Sequence, residues 1–256
     1  MRIRAAFLLV FLLAFYPSEA YVLKPLCSTT QLLVVTTSDW NAVEGKLQRF
    51  NRKYRGGPWE PVGEPFSVVV GKNGLGWGAG MISTDALHIR PDDPIKKEGD
   101  GKAPAGLFYL DMAFGYAPEN LAGSQMPYMK LTESVECVDD TASKFYNRVV
   151  DRTQITPDWN SSEHMRRPDE LYRWGVVVEH NSNPTKSGEG SCIFMHIWRG
   201  PGEGTAGCTA MAQPEIEKLL GWLDPARKPL LVQMPESQYQ RLRKKWKLPA
   251  LENAGR

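Results

Sequence analysis

The chain has 256 residues, of which 42% are hydrophobic and 23% charged, with a formal net charge of +2. This is enough apolar material for one large core, and it excludes wholesale disorder, a multi-span membrane protein and a disulfide-packed miniature scaffold. A charge so near zero leaves no electrostatic footprint for nucleic acid, so no nucleic-acid partner is expected.

Arg2 and Arg4 precede an unbroken apolar run from Ala5 to Tyr16, and Ser18-Glu19-Ala20 places small residues at the two positions a signal peptidase inspects. The pattern predicts a secretory signal peptide over residues 1–20, cleaved near Ala20, and a periplasmic or secreted mature protein. The run falls short of the about 20 residues that cross a bilayer, and no later segment approaches that length, so no transmembrane span is expected. Leu26 is too bulky to precede a lipidated Cys27. Export places cysteines 27, 137, 192 and 208 in an oxidising space. Their even number is compatible with two bridges, one bridge or none.

Residues 31–37 (QLLVVTT) read as a strand. Ser38 then reads as the cap of a helix with Trp40, Val43, Leu47, Phe50 and Tyr54 at helical spacing, ended by Gly56-Gly57-Pro58. Residues 21–58 are thus expected as an N-terminal strand and helix. Short β-rich runs follow at 65–70, 107–113, 175–180, 191–197 and 230–234. Residues 71–80 are glycine-dense, but no Gly-Lys-Ser/Thr occurs and no helical pattern follows, so they read as a turn region and not a phosphate loop. A helix is predicted over 156–166, with Pro157 in its first turn. Another covers 214–223, with Ile216, Leu219, Leu220 and Leu223 on one face. A basic helix over about 236–247 closes the chain, and its RLRKKWK run reads as a solvated face. No repeat and no composition break splits residues 60–235. The expected architecture is β-rich α+β with one core over 59–235, a basic helix and tail over 236–256, and a monomeric state.

Of the four histidines, 88, 164, 180 and 196, His196 stands apart. It ends the apolar run 191–197, and the glycine-rich loop after it leads to Thr205-Ala206-Gly207-Cys208. That loop can fold back to bring Cys208 within reach of the imidazole. A free cysteine ionises near 8.5, and a nearby imidazolium lowers that value, so an acidic thiol is expected. Gly207 permits a tight turn in which backbone N–H groups converge as an oxyanion hole. Three alternatives accompany this reading. Cys208 pairs with Cys192 or Cys137 as a disulfide; or Cys192, His196 and Cys208 bind zinc, although no fourth ligand is evident; or His180 is the base, if its strand pairs with the one bearing His196.

His196, a spacer and Thr205-Ala206-Gly207-Cys208 together resemble the signature of the L,D-transpeptidase catalytic domain (YkuD-type): a histidine, a loop, then Ser/Thr-x-Gly-Cys. Lys102-Ala103-Pro104-Ala105-Gly106-Leu107-Phe108 is similar to the family's upstream Thr-Pro-x-Gly-x-Phe/Tyr segment, and Val69 to Gly74 fits its early strand and turn. The resemblance covers roughly residues 60–235. Two positions depart from it: Ala206 stands where the family usually has histidine, and Ala210 where it usually has arginine, for which Arg199 is the candidate replacement.

The resemblance implies a sandwich- or barrel-like domain that performs acyl transfer on peptidoglycan stem peptides, with no metal and no organic cofactor. Cys208 would attack the carbonyl of the L-centre of diaminopimelate and expel D-alanine. His196 would accept the thiol proton and later activate the acceptor, while the Ile197 carbonyl orients the imidazole. The N–H groups of Gly207 and Cys208 would hold the oxyanion, and Thr205, Trp198 and Arg199 would line the substrate. An amine acceptor gives a cross-link or a wall-attached protein; water gives L,D-carboxypeptidase or wall-protein release. A non-catalytic wall-binding module with an inert Cys208 is the remaining alternative.

Overall fold

Eight strands close on themselves. The computed structural model describes residues 20–82 and 89–251, so the expected signal peptide up to residue 19 and His88 lie outside the described residues. The strands in chain order are β1 (Gln31–Thr37), β2 (Glu44–Asn51), β3 (Glu60–Pro61), β4 (Phe66–Val69), β5 (Leu75–Trp77), β6 (Ala103–Gly115) and β7 (Tyr128–Lys130). They continue with β8 (Val135–Val138), β9 (Val149–Asp151), β10 (Ser162–His164), β11 (Trp174–Val178), β12 (Phe194–Ile197), β13 (Thr209–Met211) and β14 (Leu230–Pro235). The helices are α1 (Ala20–Ser28), α2 (Gln213–Trp222) and α3 (Glu236–Trp246).

The order β1-β14-β6-β11-β12-β13-β4-β2 is closed by a β2–β1 ladder, which makes a barrel. β1–β14 and β12–β13 are parallel, and the other staves are antiparallel. Closure removes the sheet edges that an open barrel wall would present. A separate three-stranded sheet, β10-β8-β9, stands beside it. The protein is therefore β-rich with few helices. One large core joins barrel strands to the apolar faces of α2 (Ile216, Leu219, Leu220) and α3 (Tyr239, Leu242, Trp246). A smaller cluster of Phe114, Cys137, Met165, Tyr172, Phe194 and Cys208 gathers β6, β8, β12 and their loops.

Residues 38–56 do not form the expected helix; Glu44–Asn51 among them form β2. Asp39 Oδ1 accepts the N–H groups of Asn41 (2.7 Å) and Ala42 (3.0 Å), which makes a turn instead of a helix start. β2 then pairs on both edges, with Leu47 opposite Val35 of β1 and Phe66 of β4. Leu47 and Phe50 are both buried although they point to opposite faces, because a barrel stave is covered on both sides. That two-sided burial imitates a helical period. Tyr54, which a helix would have placed on the same stripe, is 62% exposed.

The helix expected over 156–166 is absent as well. Long-range polar contacts organise this segment around the buried Glu136. Trp159 Nε1 donates to its carboxylate at 3.1 Å and Ser162 Oγ at 2.7 Å, and β10 pairs with β8. Of the glycine-dense residues 71–80, expected as a turn region, Gly71–Gly74 turn, while Leu75–Trp77 form β5. At Gly74 φ is +77°, and an added Cβ would lie 2.0 Å from the Trp40 carbonyl oxygen, so only glycine fits. α2 and α3 lie where the apolar periodicity puts them. α3 buries Tyr239, Leu242 and Trp246 and leaves Lys244 and Lys245 exposed, which is the solvated basic face. The short α1 follows the expected cleavage point and was not legible as a helix, since it contains Pro25. Among the described residues no helix is long and apolar enough to cross a membrane.

Candidate active site

The site is built on the parallel pair β12–β13, where Met195 lies opposite Thr209 and His196 opposite Ala210. Cys208, one residue before β13, is level with Phe194 and shares its face with His196. A strand spacing of about 4.8 Å and a two-residue rise of about 6.6 Å put their Cα atoms about 8 Å apart. Thr205 fixes the loop between the strands. Its N–H donates to the Val70 carbonyl at 2.9 Å, and its own carbonyl accepts from Lys72 N–H at 2.8 Å. Its hydroxyl donates to the Cys208 carbonyl at 2.6 Å and accepts from Gly207 N–H at 3.1 Å.

Two expectations change here. The Thr205 hydroxyl is consumed inside the loop, so Thr205 shapes the nucleophile turn and its hydroxyl is not spent on substrate. The Gly207 N–H is consumed by the same bond, which leaves Cys208 N–H, without an acceptor among the described residues, as the available oxyanion donor. Gly207 is not in the left-handed region. It contributes space: a Cβ there would lie 3.1 Å from the Lys102 carbonyl oxygen and 3.3 Å from Ile193 Cδ1.

Cys192 is bridged to Cys137, and Cys208 is a free, buried thiol. The β12–β13 ladder begins at Met195, so the Phe194 N–H turns to the sulfur and donates to Sγ at 3.3 Å. The thiol in turn donates to the Cys192 carbonyl at 3.5 Å. Burial pushes the Cys208 thiol up to about 12, reinforced by the Glu163 carboxylate and opposed by the Phe194 N–H, the Tyr172 hydroxyl and the Lys96 ammonium. The expected acidic thiol is therefore not the resting state.

His196 Nδ1 lies 2.7 Å from the Ile197 carbonyl oxygen. A carbonyl only accepts, so Nδ1 carries the proton and Nε2 is left as the basic atom. Burial pushes the ring down to about 4, against the Ile197 hydrogen bond; Arg167 lowers it further and Asp169 raises it. The pair rests as neutral thiol and neutral imidazole. No hydrogen bond joins Cys208 to His196 among the described residues. Tyr172 adjoins both: its ring meets the His196 ring edge-on at a centroid distance of 4.9 Å, and its hydroxyl, beside the sulfur, donates to Glu163 Oε1 at 2.7 Å.

Cys208 and His196 line one cleft of about 480 Å³, together with Tyr172, Trp198 and Arg199. Its charges come in balanced sets. Arg167 holds Asp169 through two hydrogen bonds of 2.8 and 2.6 Å, and Arg199 Nη2 reaches the same carboxylate at 3.5 Å. His180 is not part of this cleft. β11 does pair with β12, but His180 lies beyond the end of β11 with its ring against Phe108 and near Gly78 and Gly190. His164 is exposed on β10, 3.6 Å from Glu136. Among the described residues no group of three or more His, Cys, Asp or Glu is arranged to hold a metal, and the disulfide removes Cys192 from the zinc set considered above.

Tyr172, Glu163 and Lys96 were not found from the sequence. Glu163 fell inside the expected helix, and Tyr172 carries no spacing signal. For Lys96 the only sign was an aspartate four residues on, at Asp100. Comparison with protein-family models, with curated proteins and with solved structures finds no match for this chain. The reading of the cleft rests on its own geometry and on the motif it carries.

Proposed function

We propose that the protein is an exported cysteine acyltransferase acting on peptidoglycan stem peptides, of the L,D-transpeptidase type. The observation that carries this reading is a free thiol, Cys208, on the same sheet face and in the same cleft as His196, whose Nδ1–H is anchored on Ile197 so that Nε2 remains to take a proton. The carbonyl of the L-centre of diaminopimelate enters between Sγ and Nε2. As the S–C bond forms, the thiol proton passes to Nε2 and the carbonyl oxygen becomes an oxyanion facing the Cys208 N–H. Collapse breaks the C–N bond, the imidazolium returns its proton to the leaving D-alanine amine, and a thioester remains. An acceptor amine, deprotonated at Nε2, then displaces the sulfur. A cleft carrying both signs of charge suits a peptide that bears both amines and carboxylates.

One observation favours a second reading. A thiol and an imidazole both held neutral by burial also suit a wall-binding module in which Cys208 is inert. Incubation with disaccharide-tetrapeptide, with and without an amine acceptor, followed by mass spectrometry of wild type and Cys208→Ala, separates these readings. Product only with amine identifies a transferase, and product in water alone identifies an L,D-carboxypeptidase. Retained binding without D-alanine release, in wild type as in Cys208→Ala, would refute the enzyme reading.

A further inference from the structure

We propose that Lys96 is a positioning residue for Cys208: its ammonium, fixed by Asp100 under the Gly207–Cys208 turn, stabilises the sulfur as it gives up its proton. The proposal rests on the acyl-transfer reading of the cleft.

Lys96 is 4% exposed, which is unusual for a lysine. Its Nζ donates to Asp100 Oδ1 at 2.7 Å and to the Lys97 carbonyl at 2.6 Å. Asp100 is itself held, accepting the N–H groups of Lys102 at 2.9 Å and Lys97 at 2.7 Å, so the ammonium sits in a rigid cradle. A Cβ on Gly207 would lie 3.9 Å from Lys96 Cε, an ordinary contact distance, and one on Gly190 only 3.1 Å from it, so Gly190 makes room for the lysine stem. The first contact places the stem against the residue that precedes the nucleophile, and Lys96 and Cys208 line the same cleft.

Replacing such a pair by apolar side chains of similar volume is often neutral or stabilising, so the pair by itself is weak evidence of a stabilising role. The groups that act on the sulfur are the Glu163 carboxylate from β10, the Tyr172 hydroxyl from the loop before β11, the Phe194 N–H from β12 and the Lys96 ammonium. Glu163 opposes a thiolate, and Lys96 is the cation among them. Two groups face Lys96 besides the cleft: Asp100, which is paired with it, and His180, which is buried with neither ring nitrogen hydrogen-bonded. His180 stays neutral because burial and the Lys96 charge both disfavour its protonation. Glu98 and Glu163 also line this cleft, and among the charged groups that act on the sulfur Lys96 is the one that favours loss of its proton.

The test needs no substrate. Cys208 alkylation by iodoacetamide near pH 9, followed by peptide mass spectrometry, is compared in wild type, Lys96→Met, Lys96→Met/Asp100→Asn and Lys96→Arg, with circular dichroism as the check on folding. The double variant removes both charges, so no lone carboxylate is left buried. The expected result is a loss of about three- to fourfold in both neutral variants, equivalent to about one pKa unit at the thiol once the higher nucleophilicity of a more basic thiolate is included, and a rate close to wild type in Lys96→Arg. Wild-type rates in a folded neutral variant would overturn the proposal. So would an arginine variant as slow as the methionine one, or failure of both neutral variants to fold, which would make the lysine structural. Failure of the acyl-transfer reading shows separately, as absence of D-alanine release by the wild-type protein.

Discussion

The resting protonation of the site gives the most direct test of its electrostatics. Burial raises the Cys208 thiol from an ordinary value of 9.0 to about 12, which leaves about a thousandfold less thiolate near pH 8. A more basic thiolate is also a better nucleophile, by about 0.4–0.5 log units per pKa unit, so the net alkylation rate falls by roughly 30- to 60-fold. Shielding by Phe114, Tyr172 and Phe194 adds to this. The assay is iodoacetamide labelling as a function of pH, read on the Cys208 peptide in native protein and in urea, with the exposed Cys27 as an accessible thiol in the same sample. The native Cys208 rate should lie at least thirtyfold below its rate in urea and keep rising through about pH 10 without a plateau. A plateau below about 8.5, or labelling of native Cys208 faster than Cys27 near neutral pH, would refute the reasoning. It would mean that a thiolate–imidazolium pair exists at rest and that the desolvation argument fails.

His196→Asn removes the atom positioned to take the thiol proton, so, on the proposed function, formation of the covalent adduct with a stem tetrapeptide should fall by about 10²–10⁴-fold. His180→Asn should leave the adduct rate unchanged, and the reverse pattern by mass spectrometry would reassign the base. His196 and His180 ionise at about 4 and about 3, below the about 6.5 of an unfolded histidine, so the unfolded chain binds more protons in that window and stability falls as pH drops below about 6.5. Between about pH 6.5 and 5 each histidine should cost about 2 kcal/mol in urea melts, and His180→Leu should remove about half of the combined loss; an unchanged loss would show that His180 is not buried neutral. Cys137→Ser/Cys192→Ser should lower stability by about 2–5 kcal/mol in the same melts, and a wild-type midpoint would show that the bridge constrains little.

The strands legible in the sequence were those whose pattern has one cause. β1, β14 and β11 carry continuous apolar runs (Leu32–Val35, Leu230–Val232 and Val176–Val178) and β12 an apolar-rich one, and all four are buried along nearly their whole length. β2 failed because its pattern has two causes. Leu47 and Phe50 are buried from opposite sides by neighbours that only barrel closure brings together, and no window of local sequence contains that information. The segment around Trp159 and Ser162 failed for a related reason, since its conformation is set by Glu136 on another strand. Local propensity cannot weigh a partner it does not contain.

The site divides along the same line. What lies within the loop between β12 and β13 was legible: Cys208 after a glycine, His196 at a strand end, a carbonyl for its Nδ1. What sets the charge of those groups was not. Glu163 and Tyr172 reach the sulfur through the small β-sheet and the loop before β11, Cys137 pins that sheet to Cys192 behind the nucleophile, and Lys96 arrives from a loop between β5 and β6. These elements bury the thiol and the imidazole, and that burial raises the one and lowers the other. On the proposed acyl-transfer reading, proton transfer from Sγ to Nε2 then accompanies attack instead of preceding it. A motif specifies which atoms meet, and burial specifies their protonation when they meet. Measurements of the thiol, more than the motif, therefore decide between an acyltransferase and a wall-binding module.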